Sequence, residues 1–191
     1  HKCSVGGLEL AVKVFQKEKL WNALAEASVA EQVAGHPHLV RLVDGTVDSA
    51  TKISSLVYEF AGADLTQHLS EASSVDMRRL ARQTLAGLAH LHSMGLFHSD
   101  LKPPNILVLP LSEGGAMFRV ADLGGVTEVG LGSKIRLDGS RTTLNYRAPE
   151  VLLGQKCAAG EQTVAEETYD ASRPEDAIQC QKEINYVFNL N

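Results

Sequence analysis

Leu96-Phe97-His98-Ser99-Asp100-Leu101-Lys102-Pro103-Pro104-Asn105-Ile106-Leu107-Val108 is the stretch that decides the reading. It places an Asp, a Lys two residues on and an Asn five residues on in one short polar segment that runs straight into an apolar strand. Asp100 offers a carboxylate that can take or orient a proton and Asn105 an amide oxygen that can meet a cation, both on one loop. A surface loop that merely contains an Asp and an Asn explains neither the length of the pattern nor the strand behind it.

Working outward, Ile106–Leu109 and Met117–Ala121 are apolar runs separated by a Pro/Ser/Gly loop and predict a hairpin, with Asp122-Leu123-Gly124 directly after it. Upstream, the spacing of Met77, Leu80, Ala81, Thr84, Leu88 and Leu91 predicts a long helix, capped by Ser73 or Ser74 and ended by Met94-Gly95. Asp64–Leu69 reads as a short helix after the small residues Ala61-Gly62-Ala63. Leu39–Val43 and Ile53–Phe60 read as strands joined by a polar turn around Asp44-Gly45. Residues 19–34, rich in Ala and Leu without Gly or Pro, predict a helix that stops at Gly35. Leu10–Phe15 reads as a strand, with Ala11, Lys13 and Phe15 on one face. Taken alone, Lys13 is an edge lysine with its head in solvent. A strand-rich first third, a small-residue hinge and a helix-rich remainder make an α+β chain.

In this order the motifs resemble the eukaryotic protein kinases of Ser/Thr type. His98–Asn105 is similar to the family's catalytic loop at every position but one. Asp122-Leu123-Gly124 resembles its Asp-Phe-Gly motif. Tyr146-Arg147-Ala148-Pro149-Glu150 with Leu152-Leu153-Gly154 resembles the end of the activation segment in the cyclin-dependent and MAP kinase group. The resemblance covers about residues 8–154 and implies a protein-kinase-like two-lobed fold, incomplete at both ends. Residues 1–60 would form an N-lobe fragment and 61–191 a C-lobe fragment, with a hinge at about 58–64, an activation segment at 122–150 and a divergent tail at 155–191.

The implied function is transfer of the ATP γ-phosphate to Ser or Thr hydroxyls of a protein substrate, with ATP and Mg²⁺ as cofactors. Asp100 would orient the hydroxyl, Lys102 would approach the transferred phosphate, and Thr143 would hydrogen-bond both. Asn105 and Asp122 would hold Mg²⁺. Lys13 would grip the α- and β-phosphates, held by a helix carboxylate; Glu26 is the choice and Glu31 the alternative. The backbones of Glu59 and Ala61 would meet adenine, Asp64 the ribose, and Ala11 and Leu107 would sandwich the purine. Tyr58 would be the bulky residue behind it.

Three departures accompany the resemblance. The family's glycine loop has no counterpart, and Val5-Gly6-Gly7 reads as the turn into the Lys13 strand. Ser99 replaces the Arg that pairs with a phosphorylated activation loop, so that control route is expected to be absent. Tyr169–Asp176 looks like the approach to the family's Asp-x-Trp-x-x-Gly helix, with Asp176 at the Asp position. Ala177-Ile178-Gln179 then follows without Trp or Gly, and the only Trp is Trp21. The missing loop and helices favour a rival, a catalytically impaired pseudokinase serving as a binding module, and the four retained polar catalytic positions count against it. A small-molecule kinase of the aminoglycoside type is disfavoured by Lys102 and Tyr146–Glu150.

Composition bounds the rest. Lys+Arg 18 against Asp+Glu 23 leaves a net charge of −5, so nothing in the overall charge attracts nucleic acid or an anionic membrane. The apolar runs are all too short to span a bilayer. Three widely spaced cysteines, Cys3, Cys157 and Cys180, form no metal or disulfide framework and suit an intracellular setting, cytoplasmic or nuclear. Oligomeric state has no signature in these residues.

Overall fold

A computed structural model describes residues 1–71, 76–128, 134–135, 142–147 and 167–168 of the chain. Strand β1 (Lys2–Val5) turns back into β2 (Leu8–Phe15) through Gly6-Gly7, whose φ values of 58° and 83° are what a two-residue hairpin turn requires. β2 pairs with β4 (Ser54–Glu59), which also pairs with β3 (Leu42–Val47), giving an antiparallel sheet in the order β1-β2-β4-β3. Helix α1 (Leu20–Gln32) packs on this sheet through Ala23, Glu26 and Ala30. The two alanines bring its backbone close, and they leave one long side chain, a carboxylate, in the contact.

Two expectations for this region are corrected. Leu39 and Val40 do not join the sheet; they pair with Val120. The Val40 N–H donates to the Val120 carbonyl at 3.0 Å and the Val120 N–H to the His38 carbonyl at 2.9 Å. Asp44-Gly45 is no turn but lies inside β3, where the register shifts between Leu42 and Asp44. The Asp44 carboxylate accepts from the Gly45 N–H at 2.8 Å, so residues with turn chemistry bend a strand here. The turn itself lies at Asp48–Lys52, where Asp48 Oδ1 accepts from the N–H groups of Ala50 and Thr51 at 2.7 and 3.0 Å.

Beyond the sheet, β5 (Ala63–Asp64) pairs with β7 (Ile106–Pro110), and β7 forms the expected hairpin with β8 (Ala116–Val120). Helix α2 (Leu65–Glu71) begins at Asp64, whose Oδ1 accepts from the Gln67 N–H at 3.0 Å. Helix α3 (Met77–Ser93) buries Leu80, Thr84, Leu88 and Leu91, and it packs on β8. Its cap is Asp76, which accepts from the Arg79 N–H at 3.0 Å; Ser73 and Ser74 lie outside the described residues. Aspartate caps as well as serine does, and it sits one residue from the helix. Short strands β6 (Leu96–Phe97) and β9 (Thr127–Glu128) pair beside the predicted catalytic loop. The fold is α+β, with a β-rich N-terminal part and a partly helical remainder. The Ala148-Pro149-Glu150 motif and Asp176 lie outside the described residues. No helix among the described residues is long and apolar enough to cross a membrane.

The hinge approaches β7 closely at Gly62. Its φ is +87°, and a Cβ there would fall inside the Val108 carbonyl of β7. Gly62→Ala adds a left-handed penalty to an overlap with main chain that cannot swing aside. The expected loss of unfolding free energy is roughly 2–4 kcal/mol. Urea denaturation of the two chains checks it; an unchanged midpoint would show that the hinge relaxes freely.

Candidate active site

Lys13 stands at the centre of the first cluster. Its Nζ donates to Glu26 Oε2 at 2.8 Å, to Glu26 Oε1 at 3.0 Å and to Asp122 Oδ1 at 2.6 Å. Of the two carboxylates weighed for this pairing, Glu26 makes it. Glu26 is 2% exposed, so its charge is withdrawn from water and needs donors. The Tyr58 hydroxyl gives it another, donating to Oε1 at 2.8 Å. Burial alone would push the Lys13 ammonium's pKa down, but the bonds to Asp122 and Glu26 outweigh it and the net direction is up. Burial, followed by the Glu26 charge, drives the Tyr58 phenol far above its ordinary value, so Tyr58 stays a donor. Gly124 completes the fit, since a Cβ there would stand 2.6 Å from Glu26 Oε2.

The second cluster is the loop around Asp100. Lys102 Nζ donates to Asp100 Oδ2 at 2.6 Å and to the Thr143 hydroxyl at 2.6 Å. The Thr143 N–H and Oγ1 both donate to Asp100 Oδ1, at 2.8 and 2.6 Å. Burial tends to raise the Asp100 pKa, and the Lys102 and Thr143 donors more than reverse it, holding the carboxyl below its usual range. Asn105 directs its amide N–H at the Asp100 carbonyl, 2.9 Å away, which orients its Oδ1 away from that bond as an acceptor that could meet a cation. The Ala121 N–H donates to the Asn105 carbonyl at 2.8 Å and so seats Asp122 beside the loop. Two oxygen donors of this kind suit Mg²⁺, which takes few protein ligands and completes its shell with water and phosphate oxygens. No group of three or more His, Cys, Asp or Glu among the described residues could hold a metal by itself.

His98 braces the clusters together. Its Nε2 lies 2.8 Å from the Ala121 carbonyl and must donate to it, while Nδ1 accepts from the Asp100 N–H at 3.3 Å. That pattern fixes the neutral tautomer, and complete burial lowers the ring's pKa in the same sense. The residue after each end of this brace is left-handed: Ser99 has φ 63° and Asp122 φ 60°. Non-glycine residues rarely adopt that geometry, and it persists where surroundings enforce it. Ser99 Oγ meets Thr127 Oγ1 at 3.2 Å, tying the loop to β9.

The remaining predicted positions lie along the hinge. Ala11 is opposite Tyr58 in the β2–β4 ladder, and Leu107 is opposite Asp64 in β5–β7. The Glu59 N–H is committed to the Arg41 carbonyl at 3.0 Å, so any adenine contact at Glu59 falls to its carbonyl. Ala61 is 2% exposed. Asp64 uses one carboxylate oxygen as the α2 cap. Sequence reasoning missed the Tyr58 hydroxyl and the close approach of Gly124; a tyrosine in a core strand carries no local sign of which carboxylate it faces.

The protein kinase domain model matches residues 4–165. The chain is 30% identical over 153 residues to sperm motility kinase 2B of Mus musculus, covering 78% of this chain and 30% of that protein. It is 30% identical over 160 residues to cyclin-dependent kinase E-1 of Arabidopsis thaliana, covering 77% and 34%. It is also 34% identical over 141 residues to the cell division control protein 2 homolog 2 of Trypanosoma brucei brucei, covering 70% and 38%. The chain therefore spans about a third of the length of these relatives.

The donors around Asp100 give a signed pH dependence. A carboxyl whose folded pKa is depressed contributes stability that is present above its unfolded value, about 4, and lost as pH falls through the folded value. The stability deficit of Asp100→Asn should therefore be constant near neutrality and shrink below about pH 4. Denaturant titrations at several pH values check this; a deficit that grew in acid would mean the donors do not hold the carboxylate.

Proposed function

This chain belongs to the protein kinase domain family, and on that premise we propose that it transfers the γ-phosphate of ATP to Ser or Thr hydroxyls of protein substrates. The observation that carries the proposal is Asp100 held by both Lys102 and Thr143. A carboxylate kept ionised by flanking donors can accept or orient a hydroxyl's proton. Lys102, 2.6 Å from it, brings a positive charge to where the transferred phosphoryl group would pass. A Thr hydroxyl bridging the two ties that pair to the segment following the Asp122 motif.

Lys13 would hold the α- and β-phosphates, with Glu26 keeping its ammonium in place. Ala11 and Leu107 would face the purine, the Glu59 and Ala61 main chain its edge, and the free Asp64 oxygen the ribose. Asn105 and Asp122 would hold Mg²⁺, which when bound neutralises charge on the phosphates. A protein substrate belongs to the same proposal, supported by a relative of Arabidopsis thaliana named as a probable serine/threonine-protein kinase; so does a cytoplasmic or nuclear setting, whose ground is the wide spacing of three cysteines.

Asp100→Asn should lower phosphotransfer to a Ser/Thr peptide by roughly 10²–10⁴-fold while leaving Mg-ATP affinity nearly unchanged. Transfer assays with a parallel melting titration check both halves. Near-normal turnover would remove Asp100 from its role; nucleotide-dependent melting with no transfer in the unmutated chain would instead favour a binding module. Because Ser99 offers a hydroxyl where a guanidinium would pair with phosphate, activity should also survive phosphatase treatment. A large loss on dephosphorylation would overturn that expectation.

A further inference from the structure

We propose that Tyr58 is a positioning residue, whose hydroxyl holds the Glu26 carboxylate inward and through it fixes the Lys13 ammonium. The inference deepens the nucleotide-handling role proposed above and rests on it for its purpose, though not for its geometry. Three observations carry it. Tyr58 and Glu26 are 9% and 2% exposed, so their 2.8 Å contact has no water competing for either group. Glu26 reaches this place from α1 across a face otherwise made of Ala23 and Ala30, which fill space and cannot direct a carboxylate. Tyr58 and Lys13 stand on adjacent strands, Tyr58 opposite Ala11 and Lys13 opposite Leu56, so one sheet carries both donors that meet the carboxylate.

The hydroxyl has a distinct task. Lys13 is 39% exposed at its side chain and shares its ammonium with Asp122, so it is not dedicated to Glu26 alone. Tyr58 is rigid: its ring is fixed in the core, and its single donor defines one position for Oε1. Without it the carboxylate loses a buried donor, and it recovers one only by moving outward with α1, which loosens Lys13.

Acylation of Lys13 by an amine-selective ester, read by mass spectrometry on the full chain near pH 8, reports this pairing without any need for turnover. A charged, paired ammonium reacts slowly. Tyr58→Phe keeps the ring and removes only the hydroxyl, and it should raise Lys13 labelling roughly 5- to 20-fold, with little change at exposed lysines such as Lys17. In a Glu26→Gln background the same exchange should change labelling less than about twofold, because the two residues act through one contact. A role in packing alone would leave labelling unmoved. Unchanged labelling in Tyr58→Phe, an equal increase in the Glu26→Gln background, or loss of a cooperative melt in Tyr58→Phe would each overturn the proposal. Labelling of the unmutated chain with Mg-ATP tests the function separately. Absence of protection there would refute nucleotide binding, while the ratios above would still decide the role of Tyr58.

Discussion

A carboxylate with almost no access to water sets the terms for much of this structure. Glu26 lies between a helix and a sheet, where an unpaired charge would cost roughly 3–5 kcal/mol. Its neighbours answer that constraint. Lys13 and Tyr58 donate to it, and Gly124 stays bare to leave it room. Asp122 shares the same ammonium from the far side. Remove the carboxylate and three elements that are distant in sequence lose their common contact: the Lys13 strand, α1 and the turn after β8.

A second unit is built around Asp100 by similar means, with donors from its own loop and from Thr143, forty-three residues on. The two units are joined through main chain rather than through long side chains. The His98 ring reaches the Ala121 carbonyl, and the Ala121 N–H reaches Asn105. Such links are short and leave few rotamers open. Residues facing phosphates and hydroxyl in the proposed reaction would thus be set by backbone register.

Much of this was legible in the sequence, because the informative features are local. The hairpin at residues 106–120, the helix through Leu80 and Leu91, and the spacing from Asp100 to Asn105 are all written in neighbouring residues. Errors arose where local chemistry has two uses. Asp44-Gly45 has turn composition but serves a bulge, and Asp76 caps a helix for which two serines looked equally suitable. Contacts between distant segments were beyond reach for a different reason. Tyr58 finds Glu26 only because the sheet and α1 fold together, and Lys13 meets Asp122 across 109 positions of chain. Resemblance to a family named the participants; only the fold gives their angles and donors.

His98 uses both ring nitrogens, one as donor and one as acceptor. To take up a proton it would have to turn an N–H against the Asp100 N–H, deep in a site that already disfavours charge. The common acid sensor of proteins is in this instance built in as a fixed strut. A fall of about one pH unit below neutrality would pass without reshaping the loop, because the ring has no vacant nitrogen to receive the proton.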